Sequence, residues 1–215
     1  MRVVITALLL ASFIFCTSSA NKKLMKKPSD TPIVTVGYLL YEPMGKPVTW
    51  ESQFISSVKN VHKHARWWLL TQTISLKLQN RSITQVDSEM SSKLDKLDRE
   101  SNGTLVDPFA ALKIVEENVK LISSRPDILC LVTQKPLTVY TDGFGLYHRL
   151  CEDAVPLILT YNQTNINATG EELGFLIKDT LNITNLHTWY YSSDDEKKRH
   201  FEGCEIQRAK ISKTK

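Results

Sequence analysis

The sequence predicts an α/β sandwich built on a central sheet. Three observations predict it. Short apolar or alternating runs of strand length recur at "PIVTVGYLLYEP" (32–43), "ISLKLQN" (74–80), "DILCLVT" (127–133) and "AVPLILTY" (154–161). Stretches with apolar residues at helical spacing separate most of them. That strand–helix alternation is the pattern of a sheet flanked by helices, with no internal repeat.

The first strand is bounded by prolines, Pro32 and Pro43. Then Phe54, Val58, Val61, Ala65, Trp68 and Leu69 recur at helical spacing, with Thr49 placed to cap the helix. Ile74, Leu76 and Leu78 alternate, as in a half-buried strand. "SEMSSKLDKLDRESNGT" is polar and reads as a loop with a short helical turn. Asp107 and Pro108 open a second helix, with Leu112, Val115, Val119 and Ile122 on one face. "DILCLVT" is continuously apolar, as expected of a strand buried on both faces. Pro156 assigns "AVPLILTY" to a sheet edge, because proline cannot donate to a ladder. "TGEELGFLIKDTL" (169–181) is a third helix, with Thr169-x-x-Glu172 at capping-box spacing. "TDGFG" (141–145) reads as a turn, "TWYYSS" (188–193) as a loop, and "SSDDEKKRH" as a charged low-complexity stretch.

The chain begins with Arg2, an apolar run from Val3 to Phe15, and the small residues Ser18 and Ala20. This reads as a signal peptide over residues 1–20, implying a secreted, extracellular protein with no membrane span. A basic arm (21–31), a folded domain (32–204) and a basic tail (205–215) follow. Setting Arg2 aside leaves one fewer than the 27 Lys and Arg, against 23 Asp and Glu. The excess is mild and gathers in "NKKLMKK" and "RAKISKTK". Such ends suit weak contact with glycosaminoglycans; nothing resembles a nucleic-acid module. About 195 residues suffice for one domain with a substantial core.

Asn-x-Ser/Thr sequons at Asn80, Asn102, Asn162, Asn167 and Asn182 predict glycosylation in exposed loops or turn ends. Beyond the leader, Cys130, Cys151 and Cys204 remain, enough for one disulfide and one free thiol. Cys130 lies in a strand that would bury it, which favours Cys151–Cys204; spacing leaves Cys130–Cys204 open.

Several stretches resemble the reprolysin-like metzincins, a zinc-protease family. "ISLKLQNRSI", "RPDILCLVT", "GFGLYHRLC" and "AVPLILTY" stand in the family's order, ahead of "GEELGFLIKDTL" at the place of its zinc helix. The resemblance covers roughly residues 32 to 190. It implies a metzincin-like (zincin) sandwich with a central mixed sheet, two long helices and a former active-site helix. Laid on His-Glu-x-x-His-x-x-Gly-x-x-His, the first histidine falls on Glu171, the glutamate on Glu172, the second histidine on Phe175, the glycine on Lys178 and the third histidine on Leu181. Three imidazoles that would grip zinc are replaced by a carboxylate, a phenyl ring and an isobutyl group. The family's methionine turn also lacks a counterpart, since Met1, Met25, Met44 and Met90 all precede the helix.

Other chemistry is poorly supported. The histidines are His62, His64, His148, His187 and His200, and no two stand four apart. Cys151 near His148 reads as half a disulfide before a nucleophile. Trp67, Trp68, Trp189, Tyr190 and Tyr191 are aromatic contact candidates. The resemblance extends to the tick salivary 28 kDa Metastriate family of zinc-eroded metzincins. It implies a non-catalytic secreted effector, without cofactor, that binds an unidentified host protein to modulate host defence or haemostasis. The alternative is an active zinc metalloendopeptidase with non-standard ligands.

Overall fold

The computed structural model describes residues 31–43, 46–101, 105–119, 125–146 and 150–207. The leader, most of the two basic ends, Asn102 and His148 lie outside the described residues. In order come β1 (Thr31–Leu40), α1 (Glu51–Thr71), β2 (Lys77–Gln85), α2 (Ser88–Glu100), α3 (Pro108–Val119), β3 (Ile128–Thr133), β4 (Gly143–Gly145), β5 (Val155–Thr160), α4 (Ile166–Asp179), α5 (Leu186–Tyr191), α6 (Asp194–Arg199) and β6 (Glu205–Gln207). The strands form one mixed sheet ordered β2-β1-β3-β5-β4. β1, β2, β3 and β5 run parallel, while β4 lies antiparallel on β5. β6 pairs antiparallel with the start of β1.

Alternation along the central strands builds two cores, one on each face of the sheet. Val36, Tyr38, Cys130, Val132, Leu157 and Leu159 share one cluster with Phe54, Val61 and Ala65 of α1 and Leu173 and Ile177 of α4. Leu39, Leu129, Leu131 and Ile158 join Leu94 of α2 and Leu112 and Val115 of α3 in the other. Helices therefore cover both faces. Cys130 sits fully buried as a free thiol, and burial pushes its pKa up, so it is an inert apolar filler.

Some local expectations change. Thr49 does not cap α1; Trp50 occupies the cap position without a capping side-chain bond, and its indole N–H donates to Glu42 Oε2 at 2.9 Å. The second strand starts at Lys77, so Ile74 and Leu76 are a buried lead-in. The supposed polar loop is the 13-residue helix α2. Asp87 caps it, accepting from Met90 N–H at 2.7 Å. Met90 and Leu94 alone are enough to bury its inner face among many charges. In α3, Asp107 Oδ1 accepts from Phe109 N–H, as the Asp-Pro start predicts; Ile122 lies outside the described residues.

β5 is not an edge strand, because β4 covers its far side. Gly143–Gly145 pairs only with Leu157–Leu159, however, so the partner ends before Pro156. Val155 N–H faces β3, bonding Asp127 O at 2.9 Å, so the Pro156 nitrogen points the other way, past the end of β4. "TDGFG" is thus an edge strand rather than a simple turn. "TWYYSS" lies largely in α5, and the charged run forms α6, closed by a Ser193–Glu196 capping box.

His62 is a buried polar group among these apolar layers. Its Nε2 lies 2.8 Å from the Tyr38 hydroxyl. Burial, and then the Arg66 charge, lowers its pKa to about 4, against a weaker opposing bond to the Leu78 backbone. The unfolded chain binds this proton near pH 6.5, so stability falls as pH drops from there towards 4. The loss at pH 4 is about 3 kcal/mol. Urea denaturation at pH 7 and pH 4.5 should show this fall in the parent and a clearly smaller one in His62→Gln.

Candidate functional site

α4 carries the positions laid against the zinc motif, all but Leu181. It starts earlier than the capping-box spacing predicts. Asn165 is the N-cap, its side chain accepting from Ala168 N–H at 3.1 Å. Thr169 is buried one turn inside, and its hydroxyl accepts from Asn162 N–H at 3.0 Å. Glu172 is therefore not a cap partner. It stands mid-helix, half-buried, facing β4.

The helix approaches β4 closely. A Cβ on Gly143 would lie 2.9 Å from Ile158 O and 3.2 Å from Glu172 Oε1. Two hollows, each of about 430 Å³, flank this contact, and Asp142 and Glu172 line both. Thr160, Asn162 and Thr169 make one end polar. Tyr140, Phe144 and Phe175 make the other aromatic. Burial raises the Glu172 pKa, and the charges of Asp142 and Asp179 raise it further. Glu172 is thus an acid able to hold a proton above the usual carboxylate range. Among the described residues, those lining the two hollows include no histidine, lysine or cysteine that would serve as its base or nucleophile.

The five positions matched to the zinc motif do not converge. Glu171 is exposed and points into a different groove, towards α1. Phe175 is 41% exposed, edge-on to Trp68 at 6.0 Å, with Lys178 Nζ 5.1 Å from its ring centroid. Lys178 continues the helix and pairs with Asp179 at 3.5 Å. The helix ends at Asp179, short of the predicted Leu181, and Leu181 is buried in the α1-side core. The cleft floor is thus not formed by Glu171, Phe175 and Leu181 together. Zinc would need three donors aimed at one point, and these three side chains do not supply them. Among the described residues, no three His, Cys, Asp or Glu side chains are grouped to hold a metal ion.

The described histidines are dispersed. His64 faces the α1–α4 groove, His187 lies 4.8 Å from the Tyr191 ring, and His200 Nδ1 is 2.8 Å from Leu181 O. Of the aromatic contact candidates, Trp67, Tyr190 and Tyr191 are exposed and Trp68 is half-buried. Trp189 is instead a buried anchor whose indole N–H donates to Gln72 O at 3.0 Å. Asn162 and Asn182 occupy exposed turns, Asn182 with φ of 51°. Asn167 is exposed in the first turn of α4, and Asn80 is exposed within β2 beside a register shift, so neither lies in a loop. The disulfide is Cys151–Cys204. No helix among the described residues is long and apolar enough to cross a membrane.

Sequence reasoning missed the surface beside β4. Phe109, Val139 and Tyr140 are exposed around Phe144, which stacks on Tyr140 at 4.8 Å and meets Phe109 edge-on at 5.3 Å. The signal was available in "LTVYTDGFG", where the β-formers Val139, Tyr140 and Phe144 cluster around a turn-prone Asp-Gly. No protein-family profile matches the chain, and no curated protein matches it in sequence.

Proposed function

We propose that this protein is a secreted effector with a metalloprotease-like scaffold that acts by binding a host protein, not by cleaving it. The observation carrying this reading is the exposed surface of Phe109, Val139 and Tyr140, packed over the buried Phe144 of β4, the last strand of the sheet. An open strand edge offers backbone hydrogen bonds, and aromatic anchors beside it offer burial energy. A monomer seldom exposes such a patch without a use for it. The mixed sheet with helices on both faces is the coarse architecture that the metzincin-like reading calls for. The resemblance to the tick salivary 28 kDa Metastriate family supplies the host context, defence or haemostasis.

Two measurements test it. The secreted protein should carry substoichiometric zinc and show no chelator-sensitive cleavage of a broad protein substrate. Stoichiometric zinc with chelator-sensitive cleavage would instead establish the active metalloendopeptidase. Immobilised protein should retain a plasma or leukocyte component, and Tyr140→Ala with Phe109→Ser should release it. Retention unchanged by that double substitution would remove β4 from the reading.

A further inference from the structure

A second groove lies on the opposite side of α4 from Glu172. It has a volume of about 790 Å³ and is walled by α1, α4 and the lead into β2. Lys63, Arg66, Trp67 and Leu70 line it from α1, Lys77 from β2, and Glu171 from α4. Lys63 and Arg66 thus share the groove with the Glu171 carboxylate. Trp67 stands 60% exposed among them. Trp67 faces away from the core side of α1, which Ala65 and Leu69 hold, so its indole has no packing role in the core.

We infer that this groove binds a sulfated polysaccharide, with sulfates on Lys63 and Arg66 and a sugar ring laid on Trp67. The spacing suits an extended polyanion. Lys63 and Arg66 are one helical turn apart and share an exposed face with Lys59. Arg66 Nε is occupied by a long bond to His62 O, at 3.4 Å, which leaves its terminal N–H groups to form a fork for a sulfate. Trp67 adds a flat apolar platform that a bare basic patch lacks, and this favours a ring-bearing polyanion over a simple anion. Thr31 at the rim pairs with Gln207 across β1 and β6. The sequence before that pair carries Lys22, Lys23, Lys26 and Lys27, and the sequence after it carries Arg208, Lys210, Lys213 and Lys215.

Sulfated polysaccharides are extracellular, so the inference rests on the secreted reading but not on the β4 surface. The competing occupant is the protein's own glycan, since Asn167 also lines the groove. The test is titration of the full-length secreted protein with a heparin hexasaccharide, with its desulfated counterpart as control. Binding should be at least about tenfold weaker in Trp67→Ala, at an unchanged salt slope. In Lys63→Ser with Arg66→Ser, both affinity and salt slope should fall, because fewer counterions are released. Enzymatic removal of N-glycans should leave binding intact or strengthen it. Three results would overturn the inference: equal binding of the desulfated sugar, full affinity in both groove variants while Lys22, Lys23, Lys26 and Lys27→Ser abolishes it, or no binding of the hexasaccharide with or without N-glycans. Circular dichroism of the groove variants separates lost binding from lost folding.

Discussion

Gly170→Val should lower the melting temperature by roughly 10 °C, although helix propensity alone predicts a gain. Gly170 sits inside α4 with an ordinary helical backbone, so a side chain there costs nothing in φ. Replacing a mid-helix glycine by alanine normally stabilises by about 1 kcal/mol. The neighbours reverse the sign. A Cβ on Gly170 would lie 2.5 Å from His64 Cβ and 2.7 Å from Val61 O, and one on Gly174 would lie 2.9 Å from Ala65 O. The carbonyl oxygens belong to the backbone of α1 and cannot rotate away. α1 and α4 therefore touch through two glycines one turn apart, and any side chain must wedge the helices open. Such overpacking costs about 3 kcal/mol, more than the propensity gain. The same substitution at Gly37, whose nearest neighbours are the side chains of Pro126 and Ser82 at 3.0 and 3.2 Å, should cost less. Thermal melts of the two variants side by side give the comparison. Equal losses would mean that the α1–α4 contact yields more easily than its geometry indicates.

That contact also shows where sequence reasoning succeeds and where it stops. "DILCLVT" and the Phe54–Leu69 face were legible because one period of hydrophobicity decides them, and burial follows directly. α2 was not, since its two buried residues are diluted by charge and the helix closes only because tertiary packing rewards them. The start of α4 was misread for a different reason. Thr169-x-x-Glu172 has the right spacing, but Asn165 satisfies the first free N–H groups a turn earlier, and spacing cannot rank two competing caps. Pro156 was read as an edge signal because one residue cannot report how long its neighbour strand is. In the candidate site, the identity of the residues at the zinc positions was plain, while their divergence was not. Glu171 and Glu172 are adjacent in sequence, yet a helix turns them towards two separate grooves. The Asp142–Glu172 proximity joins an edge strand to a helix thirty positions on, and only the sheet order brings them together.

Removing the disulfide should cost the most. Cys151→Ser or Cys204→Ser opens a loop spanning 53 residues, for which chain entropy alone gives about 4 kcal/mol, or roughly 12 °C in melting temperature. The bond closes a strap that packs mainly through its ends. Within 186–207, Trp189 anchors to Gln72 O, His200 lies 2.8 Å from Leu181 O, and Phe201 and Cys204 are buried before β6 reaches β1. Tyr190, Tyr191 and the whole of α6 contribute little burial of their own. The backbone at the clip is also demanding. Cys151 holds φ of 68°, and a Cβ on Gly203, at φ of 97°, would lie 2.8 Å from Cys151 O. Without the bond, nothing local compensates for that conformation, and the strap should open before the sheet does. Limited proteolysis should then cut Cys204→Ser first within 186–207, while the parent resists at the same protease dose. Loss of only a few degrees with no new cleavage there would mean that Trp189, Phe201 and β6 hold the strap unaided. The covalent link would then be a minor clasp on an already folded segment.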